Sequence, residues 1–370
     1  MSDPFVHSDE LGPAKIIHVH EPGAGLHATL VIDNVARGPA IGGMRMVPDV
    51  TTEECFRLAR AMTLKNAMAG LAHGGGKSVL RGDPRMPVER KQRLIRTFAH
   101  ALRHESDYIF GPDMGTDETC MAWVHDEIRR AVGLPEALGG IPLDTLGATG
   151  WGLAASARAA EALEGVRLAG ARVAIQGFGA VGKHTARFLG DLGAILVAVS
   201  DSGGTLSDAN GIDIAQLTRI KGGGGSVLDY PRGTKGPADA IIAEPCDIWI
   251  PAARPDVLDA GNATRLNARL VLQGANIPFT LEAERLLHER GVIVVPDFVA
   301  NAGGVICAAM EHRGATRAAA FDAIAEKVAA NTTSTLHRAR EAKLTPRAAA
   351  TGIALERVRE AMTTRRFGVL

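Results

Sequence analysis

Between residues 171 and 201 an apolar run, a glycine-rich turn, an amphipathic stretch and a second apolar run ending in an acid follow one another without a gap. Residues 171–176 (ARVAIQ) and 194–201 (AILVAVSD) read as strands, because short apolar runs bounded by glycine suit strands buried on both faces. Residues 181–192 between them read as a helix. A strand, a crossover helix and a strand commit this part of the chain to a doubly wound parallel α/β sheet. Further strands are expected at 240–242, 247–250, 270–272 and 291–295, with 221–226 (KGGGGS) as a mobile surface loop. An Ala/Gly-rich helix is expected over 146–162, and helix again from 316 onward.

The turn itself carries chemistry. Gly177-Phe178-Gly179-Ala180-Val181-Gly182 is a GxGxxG that follows a strand and opens a helix, and Asp201 closes the next strand 19 residues beyond the last glycine. In that context Gly177 permits the tight turn, Gly179 lets a pyrophosphate approach the backbone, and Gly182 lets helix and strand pack closely. The phosphate charge would rest on the helix N-terminus. Asp201 is placed to accept from the adenosine ribose and to repel a 2′-phosphate, which favours NAD over NADP. Ser200 and Ser202 leave NADP open.

Ahead of this unit, residues 14–20 and 26–32 read as strands, and a helix begins near Thr51, where Thr51 and Glu54 form a capping-box pattern. Residues 87–104 are a second helix, and 108–116 a strand ending in a loop. Lys65 falls late on the first helix; Lys77 follows a Gly74-Gly75-Gly76 loop. Nearly everything else in the stretch from Met62 to Ser78 is apolar or glycine. An ammonium in such surroundings must meet an anion or lose proton affinity. The pair therefore marks a candidate active site.

Whole-chain properties narrow the function further. With 370 residues the chain is long enough for two domains. Forty-one basic residues balance forty-one acidic ones, so no overall field favours nucleic acid or a membrane surface. Small-molecule substrates are expected. The first residues show no apolar run behind a basic start, and no stretch of about 18 apolar residues occurs. A cytoplasmic protein is expected. The four cysteines are widely spaced and lack metal-ligand or redox spacing, so no metal is expected.

Four segments precede the glycine turn in order: Pro39-Ala-Ile-Gly-Gly-Met-Arg45, Met62-Thr-Leu-Lys-Asn-Ala67, Gly74-Gly-Gly-Lys77 and Gly111-Pro-Asp-Met-Gly-Thr116. Ala148-Thr-Gly-Trp-Gly152, Pro251-Ala-Ala253, Gly274-Ala-Asn-Ile-Pro278 and Pro296-Asp-Phe-Val-Ala-Asn-Ala-Gly-Gly-Val305 follow. With these the chain resembles the glutamate/leucine/phenylalanine/valine dehydrogenase family from about residue 37 to 310. The resemblance implies reversible oxidative deamination of an L-amino acid to a 2-oxo acid and ammonia, with NAD as hydride acceptor. It implies two domains with a cleft between them: a substrate-binding and oligomerisation domain at 1–146 plus about 338–370, and a Rossmann-type domain at 147–337. Members are homo-oligomers.

The resemblance also implies roles. Lys65, aided by the N–H groups of Gly42 and Gly43, would hold the α-carboxylate, Lys77 would be the catalytic lysine, and Asp113 would exchange protons with the substrate nitrogen. Thr149 and Asn276 would contact the nicotinamide amide and ribose, with Asn301 and Ala252 near the cofactor. Phe178, Ala180 and Val181 complete the glycine turn. Ile41, Gly111, Val305 and Ala308 would form the side-chain pocket. Glutamate-specific members carry a lysine where this chain has Ile41 and a serine where it has Ala308. A buried carboxylate without a partner costs several kcal/mol, so an apolar substrate of the leucine, valine or phenylalanine kind is expected, nearer the leucine/phenylalanine branch. A glutamate dehydrogenase with an atypical pocket and a non-catalytic, NAD-binding regulatory homologue are the alternatives.

Overall fold

The computed structural model describes residues 5–364. It separates into two compact units. One holds the chain up to Pro142 with Val305–Ala320 and the stretch from Gly352; the other holds Leu143–Gly304 and Phe321–Thr351. Among the described residues no helix is long and apolar enough to cross a membrane.

The first unit comprises β1 (Lys15–Glu21), β2 (Leu26–Asn34), β3 (Ala40–Val47), α1 (Thr52–Met68), β4 (Gly74–Arg81), α2 (Val88–Ala101), β5 (Tyr108–Pro112) and α3 (Glu118–Ile128). Its sheet runs β1-β2-β4-β3-β5, antiparallel across β1, β2 and β4 and parallel across β4, β3 and β5. Alternation along each strand sorts the side chains. Leu30, Met44, Leu80, Tyr108 and Phe110 face the core shared with Phe98 and Met121 of α2 and α3. Val31 and Val79 face α1 through Cys55 and Ala59.

Thr51 caps α1, its hydroxyl accepting from Glu54 N at 3.1 Å. The expected capping box is half made, because Glu54 turns its carboxylate to Arg45 Nη1 at 2.6 Å. Gly74, Gly75 and Gly76 are not a loop. They open β4, a strand buried from end to end except at Arg81. A Cβ on Gly75 would lie 2.0 Å from Thr63 N of α1, and one on Gly74 1.9 Å from Asn34 O of β2. The missing side chains let helix and sheet close on each other.

The second unit begins with α4 (Leu143–Leu146) and α5 (Ala148–Glu164), separated by Gly147 at φ +80°. The helix expected over 146–162 is α5, displaced by two residues, with the short α4 ahead of it. It continues through β6 (Arg172–Gln176), α6 (Ala180–Asp191), β7 (Ile195–Asp201), β8 (Gly204–Ser207), α7 (Ile214–Gly222), β9 (Thr234–Gly236), β10 (Ile248–Pro251), β11 (Leu270–Leu272), α8 (Leu281–Glu289), β12 (Ile293–Val295) and α9 (Asp297–Ala300). The sheet order is β12-β11-β10-β6-β7-β8-β9. From β12 to β7 it is parallel, as expected; β8 and β9 add antiparallel strands at one edge. Residues 240–242 form part of a 3-10 turn (Ala238–Ile242) rather than a strand. Trp249 Nε1 donates to Ile241 O at 3.0 Å and holds that turn on the sheet.

Helices α10 (Gly303–His312), α11 (Arg317–Ala342) and α12 (Pro346–Thr364) complete the chain. The stretch Val305–Ala320, inside the span expected for the Rossmann domain, belongs to the first unit. Glu311 accepts from Leu134 N at 3.1 Å and Ile141 N at 2.8 Å and ties α10 there. Residues up to Thr351 stay with the second unit, where Arg347 pairs with Glu284 at 2.7 Å and Asp297 at 2.8 Å. Beyond them Arg357 donates to Met68 O at 2.6 Å and packs the end of α12 on α1.

Candidate active site

Three parallel strands and one helix bring the first unit's polar groups together. Because side chains alternate, Ile41, Gly43 and Arg45 of β3, Gly75 and Lys77 of β4, and Gly111 with the following Asp113 of β5 share the sheet face on which α1 lies. The register sets Gly43 beside Gly111. A Cβ on Gly43 would meet Asp113 Cβ at 2.8 Å, so only glycine leaves room for this carboxylate. Asn66 fixes the end of α1 that carries Lys65, its amide donating to Gly74 O at 2.7 Å and Ile41 O at 3.2 Å. Tyr108 O–H donates from the opposite face to Gly42 O at 2.8 Å.

Lys77 is buried, 4% exposed, with its ammonium in contact with Asp113 Oδ2. Burial strips water from the amine, and the cations of Arg45 and, more weakly, Lys65 add repulsion. Together they push Lys77 down to about 7. Asp113 opposes this by favouring the ammonium, but it divides its charge, since Arg45 Nη2 sits 3.2 Å from Oδ1. Thr116 anchors the loop beneath Asp113, accepting from Asp113 N at 3.0 Å and donating to Met44 O at 2.7 Å. A poised amine against a held carboxylate is a proton-transfer pair.

The sequence brought Lys65, Lys77 and Asp113 to one place but assigned the repulsion on Lys77 to Lys65. Arg45 is the larger source, and with Asn66 and Thr116 it belongs to the machinery that orders the site. All three lay inside the quoted motifs as polar residues in apolar company, and that was the available signal. Ile41 and Ala308 are buried and Val305 half-buried, with Val305 and Ala308 one turn apart on α10. Gly111 has van der Waals room for a Cβ, its nearest neighbours lying at 3.6 and 3.7 Å. Met44 and Cys307 are fully buried. His73, next to β4, is buried with Nδ1 3.0 Å from Pro39 O.

The second unit holds a cavity of about 840 Å³ at the carboxyl ends of β6, β7 and β10, where the strand order reverses. Such switch points are where open α/β sheets bind ligands. Its floor is the glycine turn. Gly177 is at φ +96°, a Cβ on Gly182 would lie 1.9 Å from Gly177 O, and Gly179 caps α6 with open space above it. A backbone exposed at the N-terminus of a twelve-residue helix suits a pyrophosphate. Phe178 is buried, Ala180 exposed and Val181 half-buried, and Ala252 lines the cavity. Asn301 donates to Asn276 Oδ1 at 3.0 Å and to Gly274 O at 3.3 Å, which holds the loop after β11. Thr149 is half-buried on α5.

Asp201 departs from expectation. Both of its oxygens are taken by protein donors, from Lys221, Ser226, Val227 and Gly203. Burial alone would raise its carboxyl; these donors, Lys221 first, outweigh it and hold the group below its ordinary value. Lys221 closes on it from α7, so the expected free loop at 221–226 is instead the end of a helix and a turn folded around Asp201.

Comparison with known proteins agrees with both halves of this arrangement. Residues 139–366 match the glutamate/leucine/phenylalanine/valine dehydrogenase family, and residues 13–130 match the Glu/Leu/Phe/Val dehydrogenase dimerisation domain. The NADP-specific glutamate dehydrogenase of Saccharolobus shibatae is 39% identical over 286 residues, 74% of this chain and 67% of the relative. The glutamate dehydrogenase of Aeropyrum pernix is 40% identical over 293 residues, 75% of this chain and 69% of the relative. Among solved structures, the hetero-hexameric glutamate dehydrogenase of Thermus thermophilus, in a leucine-bound form, superposes with a TM-score of 0.84 at 30% identity, covering 96% of this chain and 90% of that one. The L-tryptophan dehydrogenase of Nostoc punctiforme does so with a TM-score of 0.76 at 25% identity, covering 95% and 98%. The sequence relatives named here are glutamate dehydrogenases, which does not support the expected placement nearer the leucine/phenylalanine branch. The chain belongs to the glutamate/leucine/phenylalanine/valine dehydrogenase family, oxidoreductases that act on the CH–NH2 group of amino acids with NAD(P).

Proposed function

We propose that this chain catalyses the reversible oxidative deamination of an L-amino acid to a 2-oxo acid and ammonia, and that the buried Lys77–Asp113 pair performs the proton transfers. That pair is the observation that carries the reading. The glycine turn and the N-terminus of α6 would hold a nicotinamide dinucleotide, which would supply the acceptor for the hydride of the substrate α-carbon. Lys65 holds the α-carboxylate, with the Gly42 and Gly43 backbone beside it. Asp113 takes a proton from the substrate nitrogen and returns one to the leaving ammonia. Lys77, its proton loosened by burial and by the cation of Arg45, removes a proton from the attacking water and then, as ammonium, stabilises the carbinolamine oxygen. The intact pair also weighs against a non-catalytic regulatory homologue. The match to a dimerisation domain supports a homo-oligomer assembled through the first unit.

Relatedness and pocket composition pull apart over the substrate side chain. Relatives that are glutamate dehydrogenases at 39–41% identity favour glutamate, and this is the first reading. The second, an apolar side chain, is favoured by Ile41 and Ala308, which give a distal carboxylate no partner. Arg45 does not supply one, since Glu54 and Asp113 already share its guanidinium. A steady-state panel of glutamate, leucine, valine and phenylalanine with NAD and with NADP decides. Glutamate as best substrate sustains the first reading; a tenfold advantage of leucine or phenylalanine replaces it with the second. The absence of ammonia-dependent NAD(P)H oxidation with any 2-oxo acid would remove both.

A further inference from the structure

Asp201 stands where a dinucleotide fold selects its coenzyme, yet its carboxylate is not available. A carboxylate offers about four acceptor positions. Asp201 Oδ1 accepts from Gly203 N at 2.8 Å and Ser226 Oγ at 3.0 Å; Oδ2 accepts from Lys221 Nζ at 2.6 Å and Val227 N at 2.9 Å. All four are used. To receive the two ribose hydroxyls of NAD, Asp201 would have to surrender bonds it already makes.

Lys221 completes that set and also lines the 840 Å³ cavity beside Ser202 and Gly179. Its side chain is about a quarter exposed, at 26%. An ammonium has three donors, and its bond to Asp201 uses one. The backbone after it is Gly222-Gly223-Gly224-Gly225, with Gly224 at φ +86° and open space around Gly222 and Gly224. The other charged groups lining this cavity are Arg254, which is exposed, and Asp239, whose carboxylate pairs with Arg265 at 2.9 Å. Lys221 and Arg254 thus balance Asp201 and Asp239 along the lining, and Arg265 neutralises Asp239 from outside it.

We propose that Lys221 sets coenzyme choice. By pairing with Asp201 it cancels the charge that would repel a 2′-phosphate, and it is itself the cation placed, with the Ser202 hydroxyl, to receive one. The chain accordingly takes NADP(H) as well as NAD(H), in contrast to the NAD preference that Asp201 alone predicts. This rests on the dinucleotide reading of the second unit.

The test is direct binding of NADH and NADPH, without amino acid, to the wild-type protein, Lys221→Met and Lys221→Arg, followed by fluorescence or calorimetry. Wild type is expected to bind both. Lys221→Met should weaken NADPH by about tenfold or more, the scale of one lost close charge pair near a surface, and change NADH by less than about threefold. Lys221→Arg should retain NADPH. Equal changes for the two coenzymes in Lys221→Met, or a wild type that binds NADH alone, overturn the role of Lys221. A wild type that binds neither overturns the dinucleotide reading itself.

Discussion

At the scale of single residues, the site turns on one lysine held near neutrality. The folded Lys77 releases its proton near pH 7, whereas the unfolded chain holds it to about pH 10.5. Between those values the unfolded state binds one more proton, so stability rises with pH, and the burial of a charged lysine costs most below pH 7. Catalysis has the same sign. The deamination rate needs the free amine to take the proton of water, so kcat/KM should fall with an acid limb near pH 7 as Lys77 becomes protonated. Lys77→Ala should lower turnover by about 10² to 10⁴, while the affinity for NADPH or NADH, which the glycine turn of the other unit binds, stays within about twofold. A variant that kept turnover and lost coenzyme affinity would contradict the role given to Lys77. Arg45 explains why one carboxylate can serve two cations. It draws on Asp113 and repels Lys77, so it both orients the acid and loosens the lysine's proton.

At the scale of elements, glycine decides the geometry. β4 reaches Lys77 through three glycines, and α1 lies so close above them that no side chain fits at Gly75. Gly75→Ala must push α1 outward, carrying Lys65 and Asn66 with it. Overpacking of this kind costs about 1–3 kcal/mol or more. The expected result is a lower urea midpoint together with a raised KM for the amino acid; an unchanged midpoint would mean that α1 does not rest on Gly75. The same glycines mark the limit of what the sequence discloses. Gly74-Gly75-Gly76 reads as a loop because glycine ordinarily weakens a strand, and only the tertiary approach of α1 makes it a strand. The βαβ unit around Gly177 was legible because its apolar runs and its turn are local. β8 and β9 were not, being three or four residues long and largely polar. Ile241 and Ile242 misled for the opposite reason, since apolar residues that cover a sheet look like those within one. Lys221 lies twenty residues from Asp201, and nothing in either segment announces the pair.

At the scale of the whole molecule, family membership fixes the reaction more firmly than the substrate. An identity of 39–41% is spread over the scaffold, whereas the choice of side chain depends on a few positions grafted on it. The α-carbon chemistry is common to every amino acid, so Lys65, Lys77 and Asp113 cannot read what lies beyond it. In the proposed site that falls to Ile41, Gly111, Val305 and Ala308, all in the first unit. Two of these positions allow a test that does not depend on which substrate the natural chain prefers. Supplying a cation and a hydroxyl there, as Ile41→Lys with Ala308→Ser, gives a distal carboxylate a partner and leaves an apolar side chain facing a buried charge. The ratio of kcat/KM for glutamate to that for leucine should rise by about 10² or more, the discrimination expected when a site makes or loses a buried polar partner. Coenzyme affinity, set in the second unit, should not move, and this separates a change of specificity from a loss of fold. If the ratio does not rise while coenzyme binding holds, positions 41 and 308 do not line the substrate side chain, and the argument for an apolar substrate falls with them, leaving relatedness and its preference for glutamate.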